Sequence, residues 1–154
     1  MSEIQITRMT EEDLDEVMAI ERESFKFPWK REFFCYDLSR KSAYCLVAKR
    51  AEEVVGYIII LQVLDEFHLA NIAVKKEYRR QGIGSRLLAE MLKIAKANKI
   101  RNIFLEVRRS NLIAQRLYEK FGFHFSYVRK AYYEDGEDAL VYEKRINNND
   151  QSIA

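Results

Sequence analysis

The segment Val74-Lys75-Lys76-Glu77-Tyr78-Arg79-Arg80-Gln81-Gly82-Ile83-Gly84-Ser85 decides how this chain is read. An apolar run ends at Val74. After the loop, Leu87, Leu88, Met91, Leu92 and Ala95 recur at helical spacing up to about Asn98. A strand therefore feeds a basic, glycine-containing loop, which feeds an amphipathic helix. Glycines let the backbone approach a ligand closely and adopt positive φ. The N–H groups of a helix's first turn point outward and, with the helix dipole, favour an anion such as phosphate. Arg79 and Arg80 add positive charge. A tight strand-to-helix turn with solvated arginines would share this spacing. The loop is not a GxGxxG fingerprint, because Gly82 and Gly84 lack a third glycine. It is not a Walker A loop either, because no Gly-Lys-Ser/Thr follows.

Upstream, Ile4, Ile6 and Arg8 start a short strand. Thr10 is a plausible N-cap with Asp13 three residues on, and Leu14, Val17, Met18 and Phe25 make an apolar stripe, so residues 11 to about 25 read as a helix. Pro28, the only proline, breaks the pattern within Phe27-Pro28-Trp29, and helical spacing resumes from Lys30 to Ser39. Tyr44 to Lys49 and Val54 to Val63 form a hairpin around the polar turn Arg50 to Glu53, and Phe67 to Val74 is a third strand. Downstream, Ile103, Leu105 and Val107 alternate as a strand. Asn111 caps a helix with Ala114, Leu117, Tyr118 and Phe121, and Gly122 stops it. Phe123 to Val128 and Ala139 to Arg145 are two strands around the turn Glu134 to Asp138. The strand–helix–strand–helix order of the second half predicts parallel pairing there, and the hairpins predict antiparallel pairing elsewhere. A mixed sheet covered by helices follows.

The length of 154 residues suits one domain, expected over residues 1–146, with the polar stretch 147–154 as a disordered tail. Lys plus Arg total 26 and Asp plus Glu 24, a net charge of +2 that gives little support for nucleic-acid binding. The longest apolar run, Val54 to Val63, is about half the ~20 residues of a membrane helix, so no membrane association is expected. Two cysteines fit a reducing compartment, and the start lacks the pattern of a secretory signal, which makes the cytoplasm the expected location. Cys35 and Cys45 lie in apolar contexts and read as buried filler. His68 and His124 are too few and too dispersed for a metal site, so no metal is expected.

Arg79-x-x-Gly82-x-Gly84 resembles the R/Q-x-x-G-x-G/A motif of the GNAT acetyltransferase superfamily, and the element order is that superfamily's order. Leu105-Glu106-Val107-Arg108-x-Ser110-Asn111, Ala114 and Leu117-Tyr118-Glu119-x-Phe121-Gly122-Phe123 resemble the ribosomal-protein alanine N-acetyltransferases. Asn71-Ile72-Ala73-Val74 and Phe27-Pro28-Trp29 resemble the same group. Tyr132-Tyr133-Glu134-Asp135-Gly136-Glu137-Asp138-Ala139 is equally similar to archaeal and eukaryotic catalytic subunits of N-terminal acetyltransferases. The resemblance spans roughly residues 3 to 145. It implies an α/β (α+β) fold with a mixed, mostly antiparallel sheet flanked by helices, and acetyl-CoA as cosubstrate. The implied cosubstrate-binding residues are Ile72, Ala73, Val74, Arg79, Arg80, Gln81, Gly82, Ile83, Gly84, Ser85 and Asn111. The implied acceptor is a protein N-terminus or peptide, with the N-terminal alanine of ribosomal protein S18 as a candidate, and the chain would act as a monomer or weak dimer.

The chemistry of such a transfer needs a neutral amine, a polarised thioester carbonyl and a leaving thiolate. An α-amine with pKa near 7.7 is neutral at pH 7 in about one molecule in six, whereas a lysine near 10.4 is neutral in about one in 2500. One modest base therefore suffices for a protein N-terminus. Glu106 alternates with Leu105 and Val107, so if these face the core, Glu106 faces away from it. A solvent-facing strand glutamate would alternate in the same way; the resemblance makes Glu106 the base. It likewise makes Tyr118 the acid that donates to the departing sulfur, where helical spacing alone would allow a core tyrosine. Backbone N–H groups near Ile72 to Val74 would bind the carbonyl oxygen as it gains charge. Phe27, Pro28, Trp29, Tyr132 and Tyr133 are the expected peptide contacts, although Trp29 reads equally well as a core anchor. Asp135 and Glu137 read as a solvated turn or an acidic rim. Two other functions share the loop. One is acetylation of a lysine or a small amine. The other is a coenzyme A-binding module or a catalytic subunit that depends on an auxiliary partner; Glu106 and Tyr118 argue against a dead site.

Overall fold

The computed structural model describes residues 3–147. Residues 148–154 of the expected tail lie outside the described residues. The elements are β1 (Ile4–Arg8), α1 (Leu14–Ser24), α2 (Arg31–Leu38), β2 (Ala43–Arg50), β3 (Glu53–Val63), β4 (Glu66–Val74), α3 (Ile83–Ala97), β5 (Asn102–Arg108), α4 (Leu112–Lys120), β6 (His124–Arg129) and β7 (Ala139–Arg145). Single 3-10 turns at Glu11–Asp13 and Lys76–Tyr78 precede α1 and the glycine loop. The hydrogen-bonded strand order is β1-β2-β3-β4-β5-β7-β6. β1–β2, β2–β3, β5–β7 and β7–β6 are antiparallel, and β4–β5 is parallel. This is the mixed, mostly antiparallel sheet with helices that the sequence led us to expect.

The chain forms two compact units. One holds the residues up to Gln62 together with Ala70–Met91; the other holds Val63–Leu69 and the chain from Leu92 onward. In the first, the stripe Leu14, Val17, Met18 of α1 is buried with Phe34 of α2 and Val47, Tyr57 and Ile59 of the hairpin. Thr10 opens the first turn, its N–H donating to Asp13 Oδ2 at 2.9 Å. Gly56 lets three elements close up: a Cβ there would lie 3.0 Å from the Ala73 carbonyl oxygen and 3.3 Å from the Ile83 side chain. Its missing side chain thus lets the end of β4 and the start of α3 press against β3.

In the second unit, Ile103, Leu105 and Val107 of β5 are buried, and Phe104, Glu106 and Arg108 line the opposite, half-buried face. The β4–α3–β5 connection gives the expected parallel pair. The β5–α4–β6 connection does not, because β7 lies between β5 and β6 and pairs with both. The burial explains the order. Ala139, Val141 and Tyr142 of β7 are buried, whereas β6 is largely exposed, so the more apolar strand takes the inner place and the polar one the edge. Gly122 ends α4 with φ +90°, a conformation that costs a residue with a Cβ about 1–2 kcal/mol. Gly122→Ala should therefore lower the stability by about that amount, read as a shift of the urea midpoint. An unchanged midpoint would contradict this account of the helix stop.

Candidate active site

The glycine loop belongs to the first unit. The Arg86 N–H donates to the Gly82 carbonyl at 3.0 Å and opens the ladder of α3. The N–H groups of Ile83, Gly84 and Ser85 then have no acceptor within the helix. Arg80 and Gly82 both take positive φ, +63° and +82°. Buried Ile83 pins the helix start, while Arg80, Gln81 and Gly82 are exposed. A Cβ on Gly82 would meet no atom within 4 Å, so the space above it is open. A fifteen-residue helix with free first-turn donors beside an open glycine fits a pyrophosphate. Arg79 also has a structural part. Its Nε donates to the Val74 carbonyl and its Nη2 to Ser24 Oγ, both at 3.0 Å, so it braces the loop against β4 and α1.

Ile72, Ala73 and Val74 close β4 beside β3, and the next residue, Lys75, donates its N–H to the Val55 carbonyl at 2.8 Å. Between α1 and α2, Phe27 and Pro28 are exposed. The Trp29 ring is half-buried and packs on Phe34 at 5.2 Å, and the Trp29 backbone N–H donates to Glu21 Oε2 at 2.9 Å. Trp29 is thus the inward anchor of a loop whose other two aromatic-motif residues face solvent.

The candidate base and acid lie in the second unit. Leu105 and Val107 face the core, and Glu106 points the other way with 10% of its side chain exposed. His68 Nε2 sits 2.7 Å from Glu106 Oε1 and stacks on Phe104 with ring centroids 4.5 Å apart. Arg129 Nε lies 3.9 Å from Glu106 Oε2. His68, which composition offers only as a metal ligand, is instead a partner of Glu106. The signal lies in the strand register: His68 pairs with Phe104, and Glu106 is on the same face two residues further.

Tyr118 is buried on α4 with its ring edge-on to Phe123. Burial, reinforced by the neighbouring Tyr133 phenol, pushes its hydroxyl well above the ordinary tyrosine range, so it stays protonated and available as a donor. Burial likewise pushes Tyr133 up to about 12. Tyr132 is raised by burial and by the Glu106 charge, which places that phenol within the field of the carboxylate. The two tyrosine rings meet edge to face at 5.0 Å.

Asp135 and Glu137 are not a solvated turn. Arg108 Nη1 reaches Asp135 Oδ2 at 3.0 Å and Glu137 Oε1 at 2.7 Å, and its guanidinium lies 4.1 Å from the centre of the Tyr133 ring. Arg108 continues the outer face of β5, and the two acids come back to it when the β6–β7 connection folds over. The single guanidinium offsets one of the two negative charges. Asn111 caps α4 as expected, its side-chain oxygen accepting from the Ala114 N–H at 3.1 Å. Cys45 is buried, and its thiol is pushed up to about 11 by burial, then by Asp37. Cys35 is exposed, against expectation, because it sits on the outward side of α2, where Phe34 and Asp37 take the inner positions.

A helix start with unpaired first-turn N–H groups, a nearly buried carboxylate and a buried phenol are each parts that acyl-group transfer can use. The chain belongs to the acetyltransferase (GNAT) family, whose model matches residues 14–123, and it is an N-acetyltransferase. It is 40% identical over 144 residues to a Bacillus subtilis protein provisionally named a ribosomal protein bS18-alanine N-acetyltransferase, which covers 92% of this chain and 95% of that one. The crystal structure of the ribosomal-protein-S18-alanine N-acetyltransferase from Escherichia coli superposes with a TM-score of 0.87 at 32% identity, over 94% of this chain and 95% of the other. The fold is shared with the PaiA N-acetyltransferase of Thermoplasma acidophilum, solved in complex with coenzyme A, at a TM-score of 0.80 and 23% identity over 93% of this chain and 99% of that one.

Proposed function

We propose that this enzyme transfers the acetyl group of acetyl-CoA to the α-amine at the N-terminus of a protein, with the N-terminal alanine of ribosomal protein S18 as its target. The observation that carries the reading is Glu106, a nearly buried carboxylate turned away from the core, held by His68 and flanked by the Tyr132 phenol. Such a base is adequate for an α-amine and weak for a lysine, by the neutral fractions of the two amines at pH 7. The names of the Bacillus subtilis and Escherichia coli relatives support the target. The open glycine loop supports acetyl-CoA, as does the coenzyme A bound to the Thermoplasma acidophilum neighbour.

Acetyl-CoA supplies the activated acyl group. The first-turn N–H groups of α3 hold its diphosphate, and N–H groups near Ile72 to Val74 face the carbonyl oxygen as it gains charge. Glu106 accepts the proton of the attacking amine, directly or through one water, and His68 at 2.7 Å offers that proton a way onward. Tyr118 donates to the departing sulfur. A free tyrosine is about 1.5 pKa units above a thiol, some 2 kcal/mol uphill, and burial raises Tyr118 further. It therefore acts by hydrogen bonding to the developing thiolate before giving up its proton. Tyr118→Phe keeps the packing on Phe123 and removes only the donor. We expect kcat to fall by about 10²-fold, the lower range for general acid catalysis, with an unchanged acetyl-CoA Kd; an unchanged kcat would remove Tyr118 from the mechanism. A cytoplasmic location belongs to the same proposal, in keeping with two unpaired cysteines.

The proposal is tested by following release of the coenzyme A thiol with an alanine-initiated S18 peptide, its α-blocked copy and a polyamine. Release with the free peptide alone is expected. Release with the blocked peptide or the polyamine, and none with the free peptide, would replace the α-amine reading by one of a lysine or small-amine acetyltransferase.

A further inference from the structure

Glu21 is a buried acid that the chemistry described above does not use. It lies on the inner side of α1 with 1% of its surface exposed. Oε1 accepts from the Tyr57 hydroxyl of β3 at 2.5 Å and from Asn71 Nδ2 of β4 at 2.9 Å, and Oε2 accepts from the Trp29 N–H at 2.9 Å. Among the described residues no lysine, arginine or histidine forms an ion pair with it. A buried carboxylate without a cation is a costly way to fill a core, and a packed apolar residue would serve stability better. Its partners suggest what it does instead.

Each donor belongs to a different element, and two of them adjoin candidate site residues. The Trp29 N–H is the inner tether of residues 25–30, whose Phe25, Phe27 and Pro28 are exposed. Asn71 immediately precedes Ile72-Ala73-Val74. The Trp29 ring supports the same tether from its other side by packing on Phe34, which in turn meets the Tyr57 ring edge-on at 5.9 Å. One carboxylate therefore sets the height of the exposed aromatic loop above β3 and β4. An apolar residue at position 21 could fill the volume but could not hold an N–H in place.

We propose that Glu21 is a specificity-determining positioning residue: through the Trp29 N–H it fixes loop 25–30 in the shape that receives the first residues of the acceptor. The assignment rests on the proposed function, in which that loop meets the peptide. Glu21→Gln is isosteric but presents an amide that cannot accept from all three donors at once. Glu21→Asp keeps the charge and draws the carboxylate back by one methylene. Tyr57→Phe is the control, since it loses a hydrogen bond in the same buried cluster and leaves the Trp29 tether intact.

The experiment measures kcat, peptide KM, acetyl-CoA Kd and Tm for these variants with peptides differing only in their first residue. Both Glu21 variants should raise the peptide KM about tenfold, the effect of losing one hydrogen bond to a charged acceptor, and flatten the preference among first residues. Their acetyl-CoA Kd should stay within about twofold of the wild type, far below a tenfold hydrogen-bond effect. Tyr57→Phe should lower Tm and keep the preference. If Glu21→Gln does not fold, Glu21→Asp carries the test alone. Glu21 variants that lose Tm but keep peptide KM and first-residue preference would overturn the assignment and leave the proposed function standing. A wild-type enzyme that acetylates no peptide would overturn both.

Discussion

Glu106→Gln lowers turnover by about 10²- to 10⁴-fold, the range expected when a positioned general base is removed, and leaves the Kd for acetyl-CoA nearly unchanged. The substitution is nearly isosteric, and an amide can hydrogen-bond His68 Nε2, 2.7 Å from Glu106 Oε1, as donor or as acceptor, whichever tautomer the imidazole holds. β5 is held on both sides, by β4 and by β7, and its buried face of Ile103, Leu105 and Val107 is untouched. Folding should therefore survive and the defect should appear in kcat. A pre-steady-state experiment that mixes saturating peptide with the acetyl-CoA-loaded variant isolates the chemical step. An unchanged rate would exclude Glu106 as the base and would transfer attention to His68, the other titratable group at that point of the sheet.

Gly82→Trp abolishes tight cofactor binding. We expect the Kd for acetyl-CoA, measured by calorimetry, to rise at least about a hundredfold, the equivalent of losing one or two charge-assisted hydrogen bonds to phosphate. The protein itself leaves room for the new side chain, because a Cβ at position 82 meets nothing within 4 Å. The indole thus occupies ligand space without displacing protein. A cost remains from the backbone, since Gly82 has φ +82° and any other residue there is strained by about 1–2 kcal/mol. Gly82→Ala separates the two effects: it carries the same strain and blocks far less volume. Tight binding retained by the tryptophan variant would refute the loop as the diphosphate site.

Much of this architecture was legible in local pattern. The stripe Leu14, Val17, Met18, the alternation of Ile103, Leu105 and Val107, the cap at Asn111 and the stop at Gly122 each express a rule that acts over a few residues, and each is found where the pattern put it. The insertion of β7 between β5 and β6 was not legible. It depends on which strand is more apolar on both faces when all three compete for neighbours. The site divides in the same way. Glu106 was visible from alternation and resemblance. His68 was not, because 38 residues separate the pair and only the parallel register of β4 on β5 brings them to one face. The roles of Arg79 and Arg108 also escaped a reading of charge alone. One guanidinium goes to a carbonyl and a serine, the other to two acids and a tyrosine ring, and partners of that kind are set by loops whose course no periodicity encodes.

The most direct measurement gives the enzyme a choice within one molecule. A peptide with a free N-terminal alanine and an internal lysine is incubated with acetyl-CoA, and the added acetyl group is located by tandem mass spectrometry. The account predicts the label on the fragments that carry the α-amine and none on those that carry the lysine. Label on the lysine, with the N-terminal alanine left free, would contradict it.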